Sequence, residues 1–255
     1  MESPDRAKVT VTRAGGAALD DVVVEEPLEI RVEDHPLAVT LRTPGHDREL
    51  AAGFLYTQGI LERADDLVAL EHLPGDPHSN TIVARVAGGV EAHAQAVEHA
   101  TRSFFATSAC GLCGAAALPR IEASGPPLRR TPLGDDLLAT LGEHLRGDLF
   151  AATHGSHAAV LLDAHGRTLV LREDVGRHNA VDKVIGWAFL QGRTPEGWVL
   201  LTSGRAGFEI VHKARAAGVG AVVSVGAASS LAIGLARAAG MDLVGFLRPR
   251  SWTRY

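Results

Sequence analysis

Apolar and polar residues alternate along Pro27-Leu-Glu-Ile-Arg-Val32 and again along Leu37-Ala-Val-Thr-Leu41, with Glu33-Asp-His-Pro36 between them. That pattern predicts a β-hairpin. Residues before about Ala17 are polar or small without a period and read as a loose lead-in. Thr43-Pro-Gly-His-Asp47 breaks the second strand and offers Asp47 as a helix cap. Over 49–56, Leu50, Phe54 and Leu55 share one helical face, and the helix ends near Gly59. Two more strands flank Pro74-Gly-Asp-Pro-His-Ser-Asn80, the second with Ile82, Ala84 and Val86 on one face. Residues 1–106 therefore predict a small α+β unit, one helix against an antiparallel sheet.

Beyond residue 130 the period changes. Leu137, Leu138, Leu141 and Leu145 stripe a helix over 135–146, and a second hairpin pairs 157–163 with 168–172. A helix starts near Asn179, with Val181, Val184, Ile185 and Ala188 inward and Gly192 as its stop. Short continuous apolar runs at 198–202, 221–225 and 243–247 then alternate with helices over 208–217 and 230–239, as in sheets covered on both faces. A hairpin followed by helix–strand units predicts a mixed sheet with an antiparallel start and right-handed parallel crossovers. The expected fold class is α/β: a cytidine-deaminase-like three-layer mixed sheet over 131–255, with a smaller N-terminal α+β domain. Residues 107–130, which include Gly125-Pro-Pro, connect the two.

The 255 residues are 46% hydrophobic and 22% charged, enough apolar surface for proper cores. A net charge of −5 gives no general attraction to nucleic acid or to an anionic membrane. No run of about eighteen apolar residues predicts a membrane span. The first residues lack the basic start and apolar stretch of a secretory signal. Two cysteines are too few for a disulfide framework, so a reducing, cytoplasmic setting is expected.

Both cysteines lie in Thr107-Ser-Ala-Cys-Gly-Leu-Cys-Gly114. Cys110 and Cys113 fit half a zinc site, a dithiol redox pair, a sulfur carrier or a structural pair. The zinc reading lacks a second Cys pair or a His-x₃₋₅-His spacing. The redox reading needs a helix start, which Pro119 interrupts. Glycines around both thiols suit a mobile, exposed carrier best. Deaminase chemistry is not expected, because no His-x-Glu exists and no proline precedes Cys110.

Two other stretches are dense in chemistry. Glu173-Asp-Val-Gly-Arg-His-Asn-Ala-Val-Asp-Lys183 joins a strand to a helix, where open α/β sheets place ligands. Helix-capping ion pairs, Asp174 with His178 and Asn179 with Lys183, compete there with a polar site in which His178 moves a proton. Thr202-Ser-Gly-Arg-Ala-Gly-Phe-Glu209 and Gly226-Ala-Ala-Ser-Ser230 each open a helix with small residues. Tight turns need the same residues. With Ser203, Arg205, Lys213 and the arginines at 248 and 250, they suggest a phosphate-bearing ligand such as a nucleotide.

Six stretches in this order resemble the FdhD family of formate dehydrogenase accessory sulfurtransferases. They are Glu26-Pro-Leu-Glu-Ile-Arg, Arg42-Thr-Pro-Gly-His-Asp-Arg-Glu-Leu-Ala, the Cys-x-x-Cys loop, the 173–183 stretch, Ser203-Gly-Arg-Ala-Gly-Phe-Glu-Ile-Val-His-Lys and Leu243-Val-Gly-Phe-Leu-Arg. The resemblance implies a core similar to cytidine deaminase without its zinc, and a homodimer. It implies that Cys110 takes persulfide sulfur from a cysteine desulfurase, with Cys113 assisting. The sulfur goes to the molybdenum of bis(molybdopterin guanine dinucleotide) before insertion into formate dehydrogenase. The family's cofactor-binding segment maps onto Phe246, Leu247, Arg248, Pro249, Arg250 and Ser251. Ala115 stands where the family usually has lysine. A rival expectation is a cofactor-binding chaperone without sulfur transfer; another is a dithiol oxidoreductase.

Overall fold

The structure is a computed structural model that describes residues 4–76, 78–108 and 128–255, with side chains between 102 and 108 left out. β1 (Arg6–Arg13) and β2 (Gly16–Val23) form an antiparallel hairpin where a loose lead-in was expected. The reason for the difference is that neither strand has a buried residue, so no apolar stripe marks it. Its cross-strand pairs are exposed, Lys8 with Asp21 at 3.2 Å and Arg13 with Asp20 at 2.7 Å.

β3 (Glu26–Val32) and β4 (His35–Arg42) form the expected hairpin, and β5 (Leu67–His72) and β6 (Thr81–Val86) the next. The four strands make one sheet in the order β4-β3-β6-β5. It is not purely antiparallel: β3 and β6 run parallel, because the two hairpins join through their inner strands. Alternation puts Leu28, Ile30, Val32, Ile82, Ala84 and Val86 on one face. Against that face lies α1 (Asp47–Thr57), presenting Leu50, Ala51 and Leu55. The short α2 (Gly89–Ala92) leads to α3 (Ala94–Ser108), which adds Val97 and Ala100 to the same core.

α4 (Asp135–Leu141) is the predicted leucine helix, tightening into a 3₁₀ turn over Gly142–Leu145. The unpredicted α5 (Asp148–Thr153) follows. Its first-turn amides, Leu149 N–H and Phe150 N–H, donate to Glu173 at 2.9 and 2.8 Å. Next come β7 (His157–Leu162), β8 (Thr168–Asp174), α6 (Arg177–Leu190), β9 (Val199–Thr202) and α7 (Phe208–Ala216). β10 (Ala221–Ser224), α8 (Ser230–Ala238), β11 (Asp242–Arg248) and the unpredicted β12 (Ser251–Arg254) complete the chain.

The six strands lie in the order β12-β11-β10-β9-β7-β8. β9, β10 and β11 are parallel; β7 is antiparallel to both neighbours, and β12 is antiparallel to β11. This is the expected mixed α/β sheet. Ala159, Leu161, Leu200, Val222 and Leu243 meet α6, α7 and α8 on one face. Val160, Leu162, Val199, Leu201, Val223 and Val244 meet Leu133, Leu138 and Leu141 on the other. Burial of each large aliphatic contributes about 1.5–3 kcal/mol, which is why these strands read as continuous apolar runs. No helix among the described residues is long and apolar enough to cross a membrane.

Candidate functional site

Polar residues of the 173–183 stretch divide into two groups. The first bolts the two sheets together. Asp174 and Lys183, both buried, pair at 2.7 Å. Asp174 also accepts from Thr43 N–H (3.1 Å), Gly176 N–H (2.8 Å) and the Asn179 amide (3.0 Å). Lys183 donates to the Thr43 carbonyl at 3.0 Å, and Val175 N–H to the Thr43 hydroxyl at 3.0 Å. Thr40 and the Leu41 carbonyl hold the Asn179 side chain from β4. The pairs expected from four-residue spacing, Asp174 with His178 and Asn179 with Lys183, do not form; Asp174 precedes the helix and takes Lys183 and Asn179 instead.

Two further bolts accompany it. Arg172 forks onto Glu49 at 2.5 and 2.7 Å. Lys213 is buried against Asp182 at 2.7 and 2.9 Å, with Thr57 at 3.3 Å, so it is not a ligand cation at the phosphate loops. Burial pushes the Asp182 carboxyl up, against the pull of Lys213. Asp47 does not cap α1 either. His46 holds the cap position in a left-handed conformation, and Asp47 accepts two 3.0 Å bonds from buried Arg42.

The second group faces the carboxyl ends of the parallel strands. Ser203 Oγ accepts from Ala158 N–H at 2.9 Å and lies 3.3 Å from His157 Nδ1. Arg177 lies over Gly204: a Cβ added there would stand 3.1 Å from Arg177 Cδ. His178 Nε2 is 3.1 Å from Glu209. Burial first, then the charges of Arg177 and Lys213 and the neighbouring His157, pushes the His178 pKa down to about 3. At neutral pH the contact is thus a hydrogen bond from neutral imidazole to carboxylate rather than an ion pair. Arg205 is exposed beside them.

The two glycine/serine loops are largely committed to each other. Gly226 N–H and the Ser224 hydroxyl donate to the Gly204 carbonyl at 3.0 and 2.6 Å, and Ala206 N–H to Ala227 at 3.0 Å. Ser229 caps α8 through Ala232 N–H. The need for tight turns therefore accounts for much of that composition. Phe246, half exposed and left-handed at φ 52°, donates its N–H to the Gly226 carbonyl at 2.9 Å. Leu247 is buried, and Arg248 donates to the Val225 and Leu247 carbonyls. Pro249, Arg250 and Ser251 are exposed where β11 turns into β12. The fold thus brings His178, Ser203, Arg205 and the 246–251 hairpin to one sheet edge. His157, Arg177 and Glu209 join them unforeseen. Arg177 stood inside a stretch already marked by its polar density, whereas His157 opens an apolar strand and carried no such signal.

Neutral buried histidines set a pH dependence. His212, stacked on Phe208, has its pKa pushed to about 4 by burial, then by Lys213, His99 and Arg215. An unfolded histidine titrates near 6.5. Above that value neither state binds the proton. Between it and the folded values only the unfolded chain does, so stability falls as pH drops. The urea midpoint is expected lower at about pH 5 than at about pH 7.5. His212→Gln should narrow the difference; an equal drop in that variant refutes the assignment.

Cys110, Cys113 and Ala115 lie outside the described residues, as does the Gly125-Pro-Pro linker.

Comparisons with known proteins cover nearly the whole chain. The family model for the FdhD/NarQ family matches residues 23–255. A Streptomyces avermitilis protein named sulfur carrier protein FdhD is 43% identical, the match covering 98% of this chain and 93% of that protein. A relative of the same name from Mycobacterium tuberculosis is 44% identical over 92% of this chain and 90% of its own. A crystal structure from Desulfotalea psychrophila, provisionally described as a formate dehydrogenase accessory protein, superposes with a TM-score of 0.73 at 25% identity, covering 98% of this chain and 95% of that one. The chain therefore belongs to the FdhD/NarQ family.

Proposed function

We propose that this protein is a sulfur carrier serving formate dehydrogenase, with Cys110 as the persulfide carrier. The observation that carries the reading is near full-length similarity, at 43–44% identity, to proteins named for sulfur carriage. Cysteine desulfurase is the donor. The Cys110 thiolate attacks the outer sulfur of the donor's persulfide; a new S–S bond forms, the old one breaks, and the donor cysteine leaves as thiolate. The Cys113 thiolate then attacks the inner sulfur of the Cys110 persulfide. That step forms a Cys110–Cys113 disulfide and releases the outer sulfur, with the bonding pair, as hydrosulfide to the molybdenum of the acceptor. An external dithiol reduces the disulfide before the next cycle.

The acceptor substrate is bis(molybdopterin guanine dinucleotide), whose pyrophosphates suit the cation-bearing strand-end edge formed by Arg177, Ser203, Arg205 and the 246–251 hairpin. Such an edge is where open α/β sheets take ligands. The working protein is a homodimer in the reducing cytoplasm.

After incubation with a cysteine desulfurase and cysteine, the intact mass should rise by one sulfur atom in the wild type and not in Cys110→Ala. Sulfur gain and full formate dehydrogenase activation in that variant would sink the reading. A chaperone without sulfur chemistry would instead tolerate loss of both cysteines and fail on loss of Arg248 and Arg250.

A further inference from the structure

Two of the chain's three tryptophans, Trp187 near the end of α6 and Trp198 just before β9, are half-buried on one core and share a cation. The Arg193 guanidinium carbon lies 5.3 Å from the Trp187 ring centre and 4.8 Å from that of Trp198, close enough for both rings to attract its charge. Its side chain makes no hydrogen bond or ion pair among the described residues. Nor does that of Arg129, whose stem crosses Gly197 so closely that an added Cβ would stand 3.3 Å from its Cδ. Glu196, the only acid between the two tryptophans in sequence, pairs with neither arginine. The arginines of the adjoining cleft behave differently: Arg130 is spent on Asp242 at 2.6 Å and Arg254 on Asp135 at 2.7 Å. Two unanswered cations therefore flank a pair of indoles on a chain whose net charge is −5.

Tryptophan and arginine dominate the energetics of protein contacts, and a cation already held between two rings loses little freedom when a partner arrives. We infer that Arg129, Arg193, Trp187 and Trp198 form a docking surface for an acidic segment of the protein that donates the sulfur, the cysteine desulfurase. Unpaired positive charge selects an anionic partner surface, and two features favour the donor over the acceptor. Trp198 precedes β9, and Arg129 and Thr131 cross Gly197 and Gly220 at the amino ends of β9 and β10. The acceptor edge lies at the carboxyl ends of the same strands, so a donor seated here leaves that edge open. Leu128 packs on the same core as both indoles and stands fifteen residues beyond Cys113. Fully extended, that length of chain spans at most about 50 Å, which limits how far the thiols can stand from a docked donor. The inference rests on the carrier reading and deepens it by naming where the donor binds.

Biolayer interferometry of the full chain against the purified cysteine desulfurase of the same organism tests it. Arg129→Ala and Arg193→Ala should each weaken binding by about 10-fold, and Arg129→Glu combined with Arg193→Glu by about 100-fold or more. Wild-type binding should weaken with added salt, and its logarithmic salt dependence should be shallower in the alanine variants. Arg13→Glu, a charge reversal on the exposed β1–β2 hairpin, should bind as the wild type does. Sulfur loading by a limiting amount of desulfurase should slow in step with the affinity. Loading by glutathione persulfide, whose outer sulfur passes to Cys110 as glutathione leaves as thiolate, should keep its wild-type rate. Should Arg193→Ala uncover the indoles and fail to fold, Arg129→Glu, outside the two cation–ring contacts, carries the same expectation. Unchanged affinity in the double variant, an equal loss in Arg13→Glu, an equal slowing with glutathione persulfide, or no binding by the wild type would each overturn the inference. A wild type that takes sulfur from neither donor would discard the carrier reading instead, and arginine-dependent binding in that protein would retain the surface.

Discussion

Gly186→Ala is expected to cost about 3 kcal/mol or more, read as a drop in the urea midpoint, or to prevent folding altogether. α1 and α6 cross where Gly53 faces the Asp182 carbonyl and Gly186 faces the Glu49 carbonyl. A methyl at either glycine would fall inside the opposite carbonyl, nearer than real carbon and oxygen atoms approach. The obstruction is backbone in the middle of two helices, so no side-chain rotamer relieves it. Relief requires the helices to part, and α1 is held on its far side by the core of the first sheet while α6 is held by that of the second. The crossing also places Glu49 against Arg172, and the Thr57 hydroxyl against Asp182 and Lys213, so parting the helices would strain one ion pair and two hydrogen bonds. Gly192→Ala is a fair comparison: it has a left-handed φ of 62° but open space around the added carbon, and it should cost about 1 kcal/mol. Equal midpoints for Gly186→Ala and the wild type would refute the crossing geometry.

Lys183→Met should cost about 3–5 kcal/mol, although it keeps most of the aliphatic stem. Lys183 and Asp174 are 1% and 0% exposed, and the carboxylate would be left buried without its cation. The carbonyls of Thr43 and Glu173 would lose a donor as well. Three N–H donors remain on Asp174, which keeps the loss finite. Lys8→Met removes an ion pair of similar length on the exposed β1–β2 hairpin, and should move stability by no more than about 0.5 kcal/mol. Comparable losses in the two variants, measured by urea unfolding, would contradict the assigned difference in burial. The contrast also separates residues that look alike in sequence: Lys183 is a bolt, whereas the buried Nε–H of Arg177, six positions earlier, has no acceptor among the described residues.

Much of the fold was legible because burial leaves a period. Ile82, Ala84 and Val86 alternate, Leu137, Leu138 and Leu141 recur at helical spacing, and the runs at 199–201 and 221–223 are apolar throughout. The β1–β2 hairpin was not legible, since strands exposed on both faces carry no such stripe. β12 was hidden for another reason: Ser-Trp-Thr-Arg is short, three of its four residues are exposed, and arginines suggested a charged tail.

By itself the sequence determined where the core strands and helices lie, which face of each is buried, and, through six ordered motifs, the family. Each of these depends on neighbours within a few positions or on residue identity alone. Tertiary structure decided the parallel seam between β3 and β6, the glycine crossing of α1 and α6, and the division of the 173–183 stretch into bolts and groups at the carboxyl ends of the parallel strands. Those outcomes depend on partners distant in the chain: Asn179 meets Thr40 across 139 residues, and Lys183 meets Thr43 across 140. A local pattern records that a polar side chain is present. Whether it is spent inside the protein or left for a ligand is settled only when the chain has closed around it.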